Sequence, residues 1–249
     1  MSTVTGLLTA NAARWKVAKL TRASEFGPVA KRLVAAKARY QAVAAKTGVP
    51  WFVIAVIHQR ESSQNFSRSL AQGDPWNQVS THVPKGRGPF KSWEEAAIDA
   101  LVNCAPYASR WRDWSPGGTM TLLEQYNGLG YASKGLPSPY VWSGTDQYVK
   151  GKYVADGVFS ASAVDKQLGC AGLIMAMAAL DPSISFSGNV PVLTDAPVPQ
   201  SKPPVSKSEK AVVASSAAAA GAAAGHRPVP AEGRPRAAGR PRTRGPHGR

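Results

Sequence analysis

Glu61 stands near the end of an apolar run, VPWFVIAVIHQRESSQNF, residues 49–66. If the run is helical, residues three, four and seven apart share a face, and Ile54 and Ile57 lie seven and four positions before the carboxylate. Glu61 then emerges on the core-facing side, while Arg60 points about 100° away. Burial disfavours the charged form of a carboxylate and raises its pKa. An acid that keeps its proton near neutrality can hand it to a leaving oxygen, which is the task of the general acid in glycoside cleavage. The plainer alternative is a helix-end glutamate in water, or one paired with Arg60 or Arg68.

A second element follows at LEQYNGLGYASKGLPSPYVWSGTDQYVKGKYV, residues 123–154, where a Tyr-Asn-x-Gly-like turn closes a helix and leads to a tyrosine-rich segment. With this pair of motifs the chain resembles the lysozyme-like glycosidase superfamily, in particular goose-type lysozymes, lytic transglycosylases and phage-type endolysins. The resemblance covers roughly residues 45–160. It sets Glu61 with Ser62 at the position of the catalytic Glu-Ser, and Tyr126, Asn127 and Gly128 at the element that lines the same cleft. The chain departs from the pattern after Glu61, where GDPWNQVSTHVPKGRGPF replaces the usual Gly-Leu-Met/Phe-Gln type of turn.

The resemblance implies a muramidase acting on the β-1,4 bond between N-acetylmuramic acid and N-acetylglucosamine in peptidoglycan glycan strands, without a cofactor or metal. An inverting hydrolase needs a second carboxylate to activate water. Asp74 is the candidate, with Thr81 or Ser80 beside it, although Gly-Asp-Pro is equally a turn signal. A lytic transglycosylase needs no such group. Tyr126 is expected to donate its hydroxyl to an N-acetyl group or to Glu61, and Trp76 to offer a stacking face, with Tyr131, Tyr140, Trp142 and Trp93 as further aromatic candidates. Glu124 is another acid or base candidate by position, but its helix-forming neighbours favour the surface.

These groups need a framework, and composition says where it ends. All seven tryptophans lie in residues 1–189, and no aromatic residue follows Asn189. Residues 190–249 are rich in Pro, Ala, Gly and Arg without apolar periodicity, so a disordered basic tail is expected. The net charge of +15 divides as 20 basic against 12 acidic residues over 1–189 and 10 against 3 over 190–249. Such a field suits polyanions, which include the bacterial wall, anionic surfaces and nucleic acid. A rival reading is therefore a basic nucleic-acid-binding or virion-associated structural protein without catalysis, whose contact surface would be residues 11–46 and the tail.

Cys104 and Cys170 lack the spacing of a disulfide framework or a zinc site and read as buried thiols. The N-terminus does not read as a secretory signal, so synthesis in the cytoplasm and action at the wall after release are expected, as for an endolysin. No window is apolar enough to span a bilayer, and a monomer is expected.

The fold class implied is mainly α, or α+β: an N-terminal helical segment over residues 1–46 packs on a lysozyme-like domain over 47–189. Within it, one or two amphipathic helices are expected over 11–46, broken at Phe26-Gly27-Pro28. A long loop or small hairpin is expected over 67–90, and a helix capped by Ser92. The turn at Trp114–Gly118 leads to a helix capped by Thr119 or Thr121. Further helices are expected over 144–157 and 161–180.

Overall fold

The apolar run becomes a central helix because every one of its faces finds a packing partner. In the computed structural model, which describes residues 4–71 and 73–187, Trp51 to His58 are all buried, and so is Arg60. The elements run α1 (Val4–Val17), α2 (Ala23–Ala35), α3 (Lys37–Thr47), α4 (Trp51–Ser62), α5 (Trp93–Asn103), α6 (Pro116–Asn127), α7 (Pro139–Trp142), β1 (Lys152–Ala155), β2 (Val158–Ser160) and α8 (Cys170–Ala178). The described chain is thus mainly helical, with one two-stranded antiparallel sheet.

The first three helices pack onto the rest: α1 lies on α6, α2 on α8, and α3 on α4 and α5. One apolar core, with Phe26, Leu33, Ile54, Ile57, Leu101, Leu122 and Trp142 among its members, runs through them. The chain turns from α3 into α4 by 112°. Gly48 makes that corner in a left-handed conformation, φ 71°, and Thr47 Oγ1 accepts the Val49 N–H. No single described helix is long and apolar enough to cross a membrane.

Several expected elements fall differently. Phe26-Gly27-Pro28 does not break a helix. Pro28 lies inside α2, and the chain bends at Ala36 instead. Burial of Phe26, Ala30 and Leu33 along one face outweighs the backbone hydrogen bond that a proline nitrogen cannot make. Residues 114–118 open α6 rather than preceding it: the Ser115 hydroxyl accepts from Gly118 N and Pro116 takes the first turn. Thr119 and Thr121, expected as caps, are wholly buried. Gly117 is required there, because a Cβ would sit 2.8 Å from that of Ala12 on α1.

The helix expected over 144–157 is absent. Tyr153 pairs with Phe159 in a hairpin, both rings pack edge-on to Tyr131, and Asp156-Gly157 forms the turn with Gly157 at φ 67°. The longer helix expected over 161–180 shortens to α8, since the preceding segment is drawn into a buried ion cluster at Asp165. Of the two forms expected over 67–90 the described residues take the loop, with no strand among them and an isolated bridge between Arg68 and Pro75. The Ser92 cap is as expected, accepting from Glu95 N. Cys104 and Cys170 are free and buried. The basic tail over 190–249 lies outside the described residues.

Candidate active site

The last turn of α4 sets the site. The helix stops at two consecutive residues in the left-handed region, Ser63 at φ 53° and Gln64 at φ 61°, a conformation that non-glycine residues adopt at a cost and that is common at functional sites. Backbone bonds from Ser63 N to the Gln59 carbonyl and from Gln64 N to the His58 carbonyl secure the stop, and Gln64 Nε2 donates to the Arg32 carbonyl on α2. Glu61 therefore sits on the final, well-anchored turn of a helix otherwise enclosed by protein.

Glu61 keeps a partly accessible edge, while the protein packed around its carboxyl raises the pKa to about 7. Burial is the largest influence. The Tyr140 hydroxyl and the Arg60 charge both pull the other way and are outweighed. Tyr140 donates to Glu61 Oε1 at 2.8 Å from α7. Arg60, on the neighbouring helical position, is also buried, so α4 has no solvent face for it to reach. Its Nη2 meets Asp165 Oδ2 at 3.0 Å, its Nη1 donates to the Leu168 carbonyl at 3.3 Å, and its guanidinium lies 4.7 Å from the centre of the Tyr140 ring. Lys152 on β1 reaches the other oxygen of Asp165 at 3.0 Å.

The expected tyrosine takes another partner. Tyr126 donates to the Leu70 carbonyl at 3.1 Å, so the hydroxyl on Glu61 belongs to Tyr140 and not to Tyr126. Burial holds the Tyr126 phenol far above the ordinary range, and the Glu61 charge adds to the shift. The bond from Tyr126 to Leu70 pins the loop after α4 over the helix end. At Gly73 in that loop, φ 68°, an added Cβ would lie 3.8 Å from the Glu61 carbonyl oxygen.

Asp74 is next in this loop, and its oxygens are engaged. Oδ2 accepts from Thr81 N at 2.8 Å and His82 N at 3.0 Å, and Oδ1 pairs with His82 Nδ1 at 2.6 Å. Against the opposing effect of burial, these bonds hold its pKa below the usual value. Thr81 is exposed and meets Asp74 through its backbone. Ser80 is buried, its hydroxyl donating to the Pro84 carbonyl. Ser62 turns its hydroxyl back to the His58 carbonyl of its own helix. Trp76 is anchored by its indole N–H to the Phe66 carbonyl at 2.8 Å and packs partly buried on the core. Asn127 is the last residue of α6 and is half-buried.

Glu124 is not on the surface. It is fully buried, Oε2 accepts from Asn11 Nδ2 at 3.2 Å, and burial raises its pKa to about 7. It belongs to the seam between α1 and α6, where Asn11 also contacts Thr121 and receives the Trp142 indole N–H. Among the described residues no group of three or more His, Cys, Asp or Glu side chains is placed to hold a metal ion.

Sequence reasoning missed Tyr140 as the partner of Glu61 and missed the Arg60–Asp165–Lys152 cluster. The proline before Tyr140 signals a helix start, but no local spacing ties it to a carboxylate 79 positions away. Comparison with known protein families, characterised proteins and solved structures finds no match to this chain. Its chemistry therefore rests on the geometry of Glu61 and its neighbours.

Proposed function

We propose that the chain is a lysozyme-like muramidase that cleaves the β-1,4 bond between N-acetylmuramic acid and N-acetylglucosamine in peptidoglycan, with Glu61 as the general acid. One observation carries the reading: a partly accessible carboxyl at the end of a buried helix, with a pKa raised to about 7 and a phenol donor on one oxygen. A group of that acidity retains much of its proton at neutral pH and transfers it readily, the match that general acid catalysis requires. The sugar substrate comes from the resemblance of the Glu61-Ser62 and Tyr126-Asn127-Gly128 elements to those of lysozyme-like enzymes. The basic charge suits an anionic wall.

After the leaving oxygen takes the Glu61 proton, the oxocarbenium-like carbon must be captured. The side chains that tune Glu61 are Tyr140 and Arg60, neither of them a carboxylate. Asp74 is committed to Thr81 and His82 and is a weakened base. This supports capture by a hydroxyl of the substrate itself, in the manner of lytic transglycosylases, over capture of a water activated by Asp74. Endolysin-like release to the wall and action as a monomer complete the reading.

Purified peptidoglycan incubated with the protein, followed by mass spectrometry of the released muropeptides, tests it. Anhydro ends, lighter by one water than reducing ends, are expected, and Glu61→Gln should release them at least about a hundredfold more slowly. The +15 net charge favours a second reading, a non-catalytic nucleic-acid binder. Absence of muropeptides together with salt-sensitive DNA binding that Glu61→Gln leaves intact would replace the first reading with the second.

A further inference from the structure

Glu61 carries its own possible antagonist one residue away. A buried guanidinium beside a carboxyl ordinarily strips the proton from it. Here Arg60 is buried to the same depth as the core, yet Glu61 retains its proton into the neutral range. Tyr140 from α7 touches the Glu61 carboxyl, and the other titratable groups that share its field are Arg60 on its own helix, Tyr126 from α6 and Cys170 from α8. Arg60 is the single cation among them.

That cation is not free to act. Asp165, with a side chain only 4% exposed, holds Arg60 Nη2 at 3.0 Å. Asp165 is itself fixed: its backbone N–H donates to the Tyr148 hydroxyl at 3.0 Å, its carbonyl accepts from Ser143 Oγ at 2.8 Å, and its Oδ1 accepts from both Lys152 and the Gln167 N–H. Arg22 adds a more distant positive charge. The same ion pair seats the guanidinium 4.7 Å from the Tyr140 ring centre, and the Tyr140 hydroxyl reaches Glu61 Oε1 at 2.8 Å. A continuous chain of contacts thus runs Asp165, Arg60, Tyr140, Glu61.

We propose that Asp165 is a positioning residue for Glu61, acting through Arg60: it neutralises the guanidinium and fixes it under the Tyr140 ring, so that Glu61 meets a hydroxyl donor rather than an uncompensated cation. The inference rests on the general-acid reading for its purpose, but not for its test. Lys152 competes with Arg60 for the same carboxylate. Removing Lys152 takes away one of the two cations paired with Asp165, and removing Asp165 leaves the Arg60 guanidinium uncompensated beside Glu61.

The experiment is a carbon-13 NMR titration of the side-chain carboxyls in the full chain labelled at glutamate. The Glu61 signal is assigned by its loss in Glu61→Gln, and the Glu124 signal by its loss in Glu124→Gln. Asp165→Asn should raise the Glu61 acid dissociation constant by about tenfold, and Arg60→Met added to Asp165→Asn should reverse the change. Lys152→Met should move the midpoint the opposite way, to higher pH.

A Glu61 midpoint that stays in place in folded Asp165→Asn overturns the proposal. If Asp165→Asn does not fold, Lys152→Met decides alone, because the Lys152 side chain is 28% exposed and its loss empties no core site. An unmoved or lowered midpoint in that variant overturns the proposal equally. The titration reads the proton on Glu61 whether or not muropeptides are released, so failure of this inference and failure of the muramidase reading are separate results.

Discussion

Tyr140 donates its hydroxyl to Oε1 of Glu61 at 2.8 Å, joining α7 to the last turn of α4. A hydrogen bond of this kind favours the ionised carboxylate, yet burial outweighs it and the pKa stands at about 7. The phenol therefore trims the acidity of the group as well as orienting it. Substitution of Tyr140 by Phe should move the alkaline limb of wall-clearing activity to higher pH, because the carboxylate loses a donor. Stability should fall by about 1 kcal/mol for the lost buried bond. Activity profiles from pH 5 to about 9, with urea unfolding at one pH, check both effects.

The pH dependence of the parent protein follows from the same group. The acid must hold its proton to act, so activity should decline as pH rises through about 7, the value at Glu61. Glu61→Gln should remove at least about a hundredfold of the rate while leaving the circular dichroism spectrum unchanged. A turbidity assay on wall suspensions across pH reads the first, and equal activity of the two proteins would contradict it.

Glu124 gives a stability test free of catalysis. Burial lifts its folded pKa to about 7, well above that of an ordinary glutamate. Below the unfolded pKa both states are protonated and the group makes no difference. As pH rises from there through the folded pKa, the unfolded chain ionises first, and the folded state loses stability relative to it. Glu124→Gln should therefore match the parent near pH 4 and exceed it near pH 8, by up to about 3 kcal/mol. Denaturant midpoints at the two pH values measure the difference, and an equal gain at both would show that charge is not the cause.

Asp74 separates the two ways of capturing the cleaved sugar. Asp74→Asn should weaken the Thr81–His82 turn, costing about 1–2 kcal/mol. Its folded pKa is depressed, so the stability it contributes is present above the usual carboxylate range and lost as pH falls through the lower, folded value. Under substrate-assisted capture the variant keeps activity within about tenfold of the parent; as a water-activating base its loss would cost a hundredfold or more. Initial rates of muropeptide release distinguish these outcomes.

The central feature of the site was legible in the sequence because it is local. An apolar run long enough for a buried helix, ending in Glu, states both the burial and the carboxylate that burial perturbs. Ser92, with acidic residues in the following turn, likewise announced its cap. What stayed hidden depends on long-range packing. Arg60 reads as a surface residue until the side of α4 that carries it is known to be enclosed, and nothing near Tyr140 or Asp165 refers to residues 60 and 61. Asp156-Gly157 between Tyr153-Val154-Ala155 and Val158-Phe159-Ser160 is a hairpin signal in plain view. It competes with the helix expected over 144–157, and what decides for the hairpin is the edge-on packing of Tyr153 and Phe159 on Tyr131, which local spacing does not show.

The fully buried Asn11 contacts Thr121 and Glu124 on α6 and receives the indole of Trp142, two residues beyond Tyr140. Trimming the chain through α1 would empty that seam, expose a buried carboxyl and a buried indole, and loosen the short helix that carries the phenol. A catalytic fragment cut to begin at the apolar run would thus be expected to lack the very support its acid requires, and engineering at this end should add residues before α1 and leave the helix whole.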